Sequence, residues 1–454
     1  MTETTGTAGA TTWRFPRAFW IGNGVELLER AAYYGTFIAL VLYLTRVVGM
    51  SDAKAGLIGG LFGAGIYLFP FFSGAIADRI GFRNALILAF ALLATGYGML
   101  GFLHTEAPVL LALFLVVLGG SFVKPVITGT VARSSDATNR ARAFSLFYMT
   151  VNIGAFLGKT VVKGIRQDLG VGRVPFFSAG AAAFALVMVL IFYWPKEGGE
   201  EQPRDIGDTL RGMLTAMSNL RFLALILITA GFWAIQGQLY ASMPKYVLRL
   251  VGEHAAPEWY ANINPFVVVL LVVPVTQLVR RWKPELAISV AMLLIPFSAL
   301  SMALAHLFPG REVTVLGFTM HPITLMMILG ISIQGLAECF LSPKYLEFAS
   351  KQAPPGQEGL YLGYAHMNTF FAWLFGFILS GFLLERYVPN PATLPAEVQA
   401  QRLAAIAGEG PMPACYAHAH YLWYAFALVG LVSFVALLVF FVVTNRVDAR
   451  RARA

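Results

Sequence analysis

Charge is what this sequence has least of. Of its 454 residues only 13% are Asp, Glu, Lys or Arg, while 57% are hydrophobic and the mean hydropathy is +0.68. A soluble chain carries about 25% charged residues, so a soluble globular domain is excluded. Cysteine is scarce as well. Cys339 and Cys415 are the whole complement, which rules out a disulfide framework, and both are expected to be free. The spacing of His, Cys and Asp matches no zinc site, and no Ser/His/Asp set clusters beside an apolar run. Neither a metal, a cofactor nor a membrane enzyme is therefore expected. Alternating segments of about ten residues are missing too, which excludes a β-barrel. Met1 to Thr12 has no basic stretch ahead of an apolar one and no small-residue cleavage site, so the first helix is expected to be the insertion signal.

What the chain has instead is long apolar runs. Each has about the ~20 residues or more needed to cross a ~30 Å hydrocarbon core as a helix. Twelve can be read: roughly 18–45, 53–77, 85–104, 107–131, 142–165, 174–194, 221–249, 257–280, 286–307, 321–349, 357–384 and 421–444. The expected fold is an all-α integral membrane protein of about twelve transmembrane helices in two six-helix bundles. Residues 1–194 form the first bundle, 195–220 a linker and 221–454 the second. The linker's second part, Asp208 to Leu220, has the pattern of a short amphipathic surface helix. The other long break, Glu385 to His420, reads as a surface loop without chemistry.

The net charge of +9 suits either nucleic acid or the basic loops of a membrane protein. Its distribution favours loops. Nineteen Lys and Arg fall on the side of the two chain ends and eight on the other. The positive-inside rule then places both termini in the cytoplasm, with no nucleic-acid partner.

Several polar residues do not belong in lipid. Glu26, Glu29 and Arg30 lie inside the first run, where a charge costs roughly 3 kcal/mol or more unless it faces a partner or a wet cavity. On a helix Glu26 and Arg30 are one turn apart and share a face with Glu29, Tyr33 and Phe37. That face is read as one wall of a buried polar cavity. Counting 1.5 Å per residue from the cytoplasmic end puts Glu26 and Lys124 at ~13 Å, Asn152 at ~15 Å, Tyr67 at ~16 Å and Arg30 at ~19 Å. On the same count Trp233 and Glu338 fall at ~18 Å, His366 at ~14 Å and Asn264 at ~24 Å. Polar residues of both bundles thus gather near the midplane, where alternating-access transporters keep their site.

Each has a plainer alternative. Glu338 is either a hydrogen-bonded structural acid or a functional one, and the deep Lys124, Glu26 and Glu29 favour function. Asn152 fits a bond between packed helices as well as a ligand contact. Tyr33, Tyr67 and Trp233 suit a core as well as a pocket. His366 is either a proton relay or a helix-to-helix bond. Lys159 either snorkels or pairs with an acid. Lys163, Lys245 and Lys344 lie near helix ends and are read as snorkelling to the interface.

Two motifs carry a resemblance. Gly74-Ala75-Ile76-Ala77-Asp78-Arg79-Ile80-Gly81-Phe82-Arg83 resembles the GxxxDRxGRR signature of the major facilitator superfamily, in the same loop between helices 2 and 3. It gives Asp78, Arg79 and Arg83 a structural or gating role, the arginines bridging to carboxylates. Glu26 to Gly35 resembles the ExxERFxYYG motif of the proton-dependent oligopeptide transporter (POT) family, with Ala31 in place of the usual Phe. Gly119 to Pro125, Phe144 to Ala155, Phe232-Trp233-Ala234, Asn264-Pro265 and Gly335 through Ser342-Pro343, then Ala353-Pro354, are similar to further segments of that family.

The resemblance implies proton-coupled symport of di- and tripeptides or similar zwitterions by alternating access. Glu26, Glu29, Arg30 and Lys124 would couple protons. Lys124 and Glu338 would hold opposite ends of the substrate, with Tyr33, Tyr67, Asn152, Trp233, Asn264 and Ser342 lining the pocket. Partners are then protons, a peptide-like small molecule and the lipid bilayer, and the chain is expected to act as a monomer in the cell (inner or plasma) membrane. Three positions depart from the family pattern. The family's usual arginine two residues after Gly35 is Phe37 here, its acid in helix 7 is Gly237, and the tryptophan expected early in helix 11 is absent. The alternative is a transporter of the same architecture for another anionic or amphoteric solute, an exporter included.

Overall fold

The computed structural model describes residues 14–136, 139–195, 206–308, 310, 312–351 and 364–451. Met1 to Thr12, the first part of the linker (196–205) and Ala353-Pro354 lie outside the described residues. Helix dominates. Among the described residues eleven helices are long and apolar enough to cross a membrane, or twelve if a bent pair counts as one span. The protein is a multi-pass α-helical membrane protein.

The spans fall close to the apolar runs. The first bundle's runs become α1 (Arg17–Arg46), α2 (Asp52–Leu68) with α3 (Pro70–Ile80), α4 (Phe82–Phe102), α5 (Glu106–Arg133), α6 (Arg140–Leu169) and α7 (Val174–Phe192). The linker contributes α8 (Ile206–Ser218), whose exposed Leu210 and Leu214 lie one turn apart on one face. The rest are α9 (Leu220–Gln236), α10 (Gln238–Ala241), α11 (Met243–Leu250), α12 (Pro257–Val279), α13 (Pro284–Ala303), α14 (Pro322–Lys351), α15 (Met367–Tyr387), α16 (Ala396–Ala407) and α17 (Tyr421–Arg451).

Two expected spans are broken. The second bends by 46° between α2 and α3, and the seventh divides into α9, α10 and α11. Pro70 stands at the α2–α3 break and Pro244 at the α10–α11 break, where a missing N–H and the ring's clash with the preceding turn interrupt the backbone ladder. The break at Glu385 to His420 is also more than a loop, since it holds α16. A short antiparallel hairpin, Val313–Val315 with Phe318–Met320, adds a strand pair to an otherwise helical chain. Leu316 and Gly317 both take positive φ (54° and 83°), as a two-residue hairpin turn requires.

By contact density the chain gathers into two compact units. The first comprises Met1–Thr36, Phe69–Val161 and Arg173–Ile206; the second comprises Phe37–Leu68, Val162–Gly172 and Gly207–Ala454. Each is held by small residues that let backbones touch. In the first unit a Cβ on Gly158 of α6 would stand 2.2 Å from the Ala31 carbonyl oxygen of α1. One on Gly154 would stand 2.6 Å from that of Leu27. In the second, Gly56, Gly60 and Gly63 form a groove on α2, and a Cβ on Gly56 would lie 2.5 Å from the Phe377 carbonyl oxygen of α15. In lipid there is no hydrophobic drive between apolar helices, so such close van der Waals contact supplies the packing energy.

Candidate functional site

The first unit carries the charged stretch of α1. Glu26 and Glu29 are 1% and 2% exposed, and both meet one guanidinium. Arg30 Nε lies 3.3 Å from Glu26 Oε1, the one-turn spacing read from the sequence, and the same guanidinium donates to Glu29 Oε2. The Arg30 guanidinium also stands over the rings of Tyr33 (5.3 Å) and Tyr34 (6.0 Å), so the aromatic pair of the motif forms a wall of the charge cluster. Glu26 Oε2 is buried and has no hydrogen-bond partner among the described residues. Lys124, on α5 just before Pro125, is exposed and acts electrostatically on both carboxylates. The four charges sum to zero. Adding one proton to either carboxylate therefore leaves a net positive cluster beside an accessible lysine.

Other first-unit candidates are placed differently. Asn152 is half-buried and donates to Tyr148 O on its own helix (2.8 Å) rather than across to a neighbour. Lys159 does not snorkel. It is 1% exposed, with its Nζ 5.7 Å from the Tyr34 ring centre. Asp78 and Arg79 are exposed in the last turn of α3, and Gly81, between α3 and α4, takes φ +82° to make the turn. Arg83 reaches no carboxylate among the described residues. It donates to Leu190 O (2.9 Å), near the end of α7, and stacks over Trp194 at 3.8 Å. A cation there meets the negative end of the α7 dipole.

The second unit holds the acid of α14. Glu338 Oε2 accepts from Gln236 Nε2 of α9 at 2.6 Å and from Asn264 Nδ2 of α12 at 3.3 Å. Asn264 precedes Pro265 inside α12, and Ser342 and Pro343 follow Glu338 by one turn. Trp233 is half-buried one turn before Gln236, edge-on to Phe232 at 5.4 Å. Tyr67, at the end of α2, packs on Trp373 of α15 at 5.5 Å. Sequence reading missed Gln236. An amide inside an apolar run raises no alarm, and its value shows only once it is bonded to the acid.

Of the two positions that depart from the family's charged pattern, Phe37 belongs to an aromatic stack and Gly237 caps the end of α9. Phe37 lies on Trp373 at 4.7 Å with planes 13° apart, and Phe62, Tyr240 and Phe377 surround it. The tryptophan missing early in helix 11 is present two turns into α15.

The charges expected in loops at this end are buried instead. Lys245 does not snorkel. It bonds Asp52 Oδ1 at 2.7 Å, and Arg249 bonds both oxygens of the same carboxylate at 2.7 and 3.0 Å, all three residues being at most 3% exposed. Arg402 of α16 donates to Arg249 O (2.7 Å) and Leu248 O (3.0 Å), capping the C-terminus of α11. Nearby, Arg166 grips Glu258 and Ala255 O, while Arg46 pairs with Glu253 at 2.7 Å. Burial acts to raise the Glu253 carboxyl, but the hydrogen bonds and charge of Arg46, with Arg166, outweigh it and hold the group below its ordinary value.

Apolar helices that bury ion pairs and an amide-bound carboxylate define a polytopic membrane protein with charged groups inside its spans. The profile described as Major Facilitator Superfamily matches residues 24–316, and the chain belongs to that superfamily. Among curated proteins, the dipeptide and tripeptide permease A of Proteus mirabilis (strain HI4320) is 30% identical over 159 residues, 34% of this chain and 33% of that protein. The multidrug resistance protein MdtH of Salmonella typhi is 25% identical over 279 residues, 60% of this chain and 67% of that protein. The chain spans between a third and a half of the length of the first peptide permeases it matches. A solved POT family transporter in complex with a thioalcohol conjugated peptide has the same fold, with TM-score 0.71, 19% identity and coverage of 95% of this chain and 96% of that one.

Proposed function

We propose that the chain is a divergent POT transporter that moves di- or tripeptides, or similar small zwitterions, together with protons. The observation that carries the reading is the pair of buried carboxylates on one guanidinium, with Glu26 Oε2 unpartnered among the described residues. Such a pair is costly to keep in an apolar span and has little use for stability alone. A proton arriving on Glu26 or Glu29 releases part of the hold on Arg30 and Lys124. The excess positive charge then draws the substrate carboxylate. In the second unit Glu338, already oriented by two amides, takes the substrate amine. Tyr33, Tyr67, Asn152, Trp233, Asn264 and Ser342 complete the proposed lining, and Asp78, Arg79 and Arg83 the proposed gating loop.

The two six-helix halves, 1–194 and 221–454, joined by the linker 195–220, alternate the side on which the site opens. Both termini face the cytoplasm of an inner or plasma membrane, and one copy suffices. The peptide permeases among the relatives support this substrate class. The similarity to a multidrug resistance protein favours a second reading, an exporter of amphoteric compounds, in which the same proton cluster runs in the opposite sense.

The test is uptake by proteoliposomes with and without an inward proton gradient. Gradient-driven accumulation of a dipeptide is expected, and Glu26→Gln should abolish the driven part. Driven uptake that Glu26→Gln leaves unchanged would overturn the coupling assignment. Extrusion of the solute against its gradient would select the exporter.

A further inference from the structure

The connection between α13 and α14 carries the antiparallel hairpin, and the stretch from Val313 to Met320 includes no charge. Val313 pairs with Met320, Thr314 with Thr319 and Val315 with Phe318. Residues directly opposite one another share a face of a strand pair, and successive residues alternate between faces. One face is therefore made by Thr314 and Thr319, whose hydroxyls bond each other at 2.9 Å. The other holds Val313, Val315, Phe318 and Met320. Among the described residues little covers that apolar face. Phe318 is 71% exposed and Val315 is exposed, while Val313 and Met320 are half-buried.

The turn sharpens the anomaly. Leu316 is 93% exposed and stands at φ 54°, in the left-handed region, followed by Gly317 at 83°. A two-residue turn of this kind is normally built from Asn-Gly or Asp-Gly, and a large side chain there crowds its own backbone. Leu316 is thus strained and, in water, uncovered. Asparagine would relieve both costs, and an apolar surrounding would offset them. The exposed side chains Leu286, Leu293 and Phe297 form one stripe along α13, and the exposed Leu307 carries apolar surface past the end of that helix into the connection. In a multi-pass membrane protein such a stripe faces lipid, and the hairpin continues it at the bilayer edge. A second copy of the chain fits less well, since a stable interface takes about 800 Å² per partner, more than one short hairpin presents.

We infer that the hairpin is an interfacial anchor, whose apolar face, with Leu316 at the tip, sits in the boundary between lipid headgroups and acyl chains. It does not enter the hydrocarbon core. A two-stranded ribbon has two open edges, and unpaired N–H and C=O groups are tolerated only where water reaches them. Lying flat in the boundary meets both demands. The strand edges and the threonine face stay hydrated, while Val315, Leu316 and Phe318 leave water. The anchor holds the ends of two closely packed helices, since a Cβ on Gly330 of α14 would stand 2.7 Å from Ser298 O of α13. It thereby fixes the depth of that pair in one leaflet, the one facing away from the cytoplasm in the proposed orientation. The inference depends on the membrane spans and not on the transported solute.

The test is spin labelling of the full chain in vesicles of phosphatidylethanolamine and phosphatidylglycerol. Cys415→Ser removes the exposed native thiol, and Cys339 is buried. Labels are attached through Leu316→Cys, Phe318→Cys and Thr314→Cys, one at a time. Relaxation by oxygen, which concentrates in lipid, is compared with relaxation by a water-soluble nickel chelate. The labels on Leu316→Cys and Phe318→Cys should favour oxygen, and the label on Thr314→Cys should favour the chelate. Equal access of the chelate to all three overturns the anchor. Dipolar broadening of the Leu316→Cys label that disappears on dilution with unlabelled chain gives the face to a second copy, and overturns it as well. Leu316→Asn, which suits the turn, should fold and should shift the Phe318→Cys label toward the chelate. A label that does not shift overturns the part assigned to Leu316. If Leu316→Cys does not fold, Phe318→Cys against Thr314→Cys decides the anchor.

Discussion

Asp52 shows how far a single residue's meaning depends on what covers it. It opens α2, where a carboxylate complements the helix dipole, and it is buried against Lys245 and Arg249. Removing one partner of a buried ion pair costs about 3–5 kcal/mol, because the charge left behind is neither hydrated nor paired. Asp52→Ala strands two cations at once and should lower the melting midpoint by several degrees in a thermal-unfolding assay. Asp52→Leu combined with Lys245→Met should recover part of that loss. A midpoint unmoved by Asp52→Ala would mean that the triad is hydrated. In the sequence Lys245 reads as a snorkelling residue because it stands near the end of an apolar run. The segment between α15 and α17, with Arg402 of α16, covers the end of α11. A loop's ability to bury the end of a span is not written in the span itself. Glu26, Glu29, Arg30 and Glu338 were legible for the opposite reason, since each stands deep inside a run where lipid tolerates no charge.

At the level of elements, the spans were readable because the bilayer forces each helix to be long and apolar. Their breaks were less so. Pro70 and Pro244 sit inside runs of unbroken hydropathy, and a proline in a membrane helix is as often a kink as an end. The contact of α1 with α6 also escaped the sequence. Ala31, the departure from the family's Phe, lies where Gly158 brings the backbone of α6 onto α1. A larger residue at 31 would have to be judged against that approach. Gly158→Ala puts a methyl group 2.2 Å from the Ala31 carbonyl oxygen, an overlap with backbone that cannot swing aside. The expected cost is about 1–3 kcal/mol of stability, measured by thermal unfolding in detergent. Gly164→Ala in the same helix is the control. A Cβ there meets nothing within 4 Å, so stability should hold or rise, by up to about 1 kcal/mol from helix propensity alone. Equal behaviour of the two variants would contradict the close contact of α1 and α6. The aromatic stack around Phe37 belongs at this scale as well. At Phe37, where the family pattern has an arginine, the second unit places the Phe37, Phe62, Trp373 and Phe377 rings together, and with Gly237 in place of the family's acid no carboxylate is left unpaired there.

The chain belongs to the Major Facilitator Superfamily, and for the whole molecule we propose a proton-coupled carrier of zwitterions. Its two compact units each contain a buried polar cluster of complementary kind. One is centred on a guanidinium between two carboxylates, the other on a carboxylate between two amides. In the proposed cycle a proton switches the first cluster without touching the second. The measurement that tests this most directly is proton movement recorded together with dipeptide movement in proteoliposomes containing a pH-sensitive dye, with no imposed gradient of protons or voltage. Adding alanyl-alanine outside should acidify the lumen as the peptide enters in the wild-type chain, and should leave the lumen unchanged in Glu26→Gln. Peptide entering the wild-type vesicles with no accompanying acidification would contradict the account.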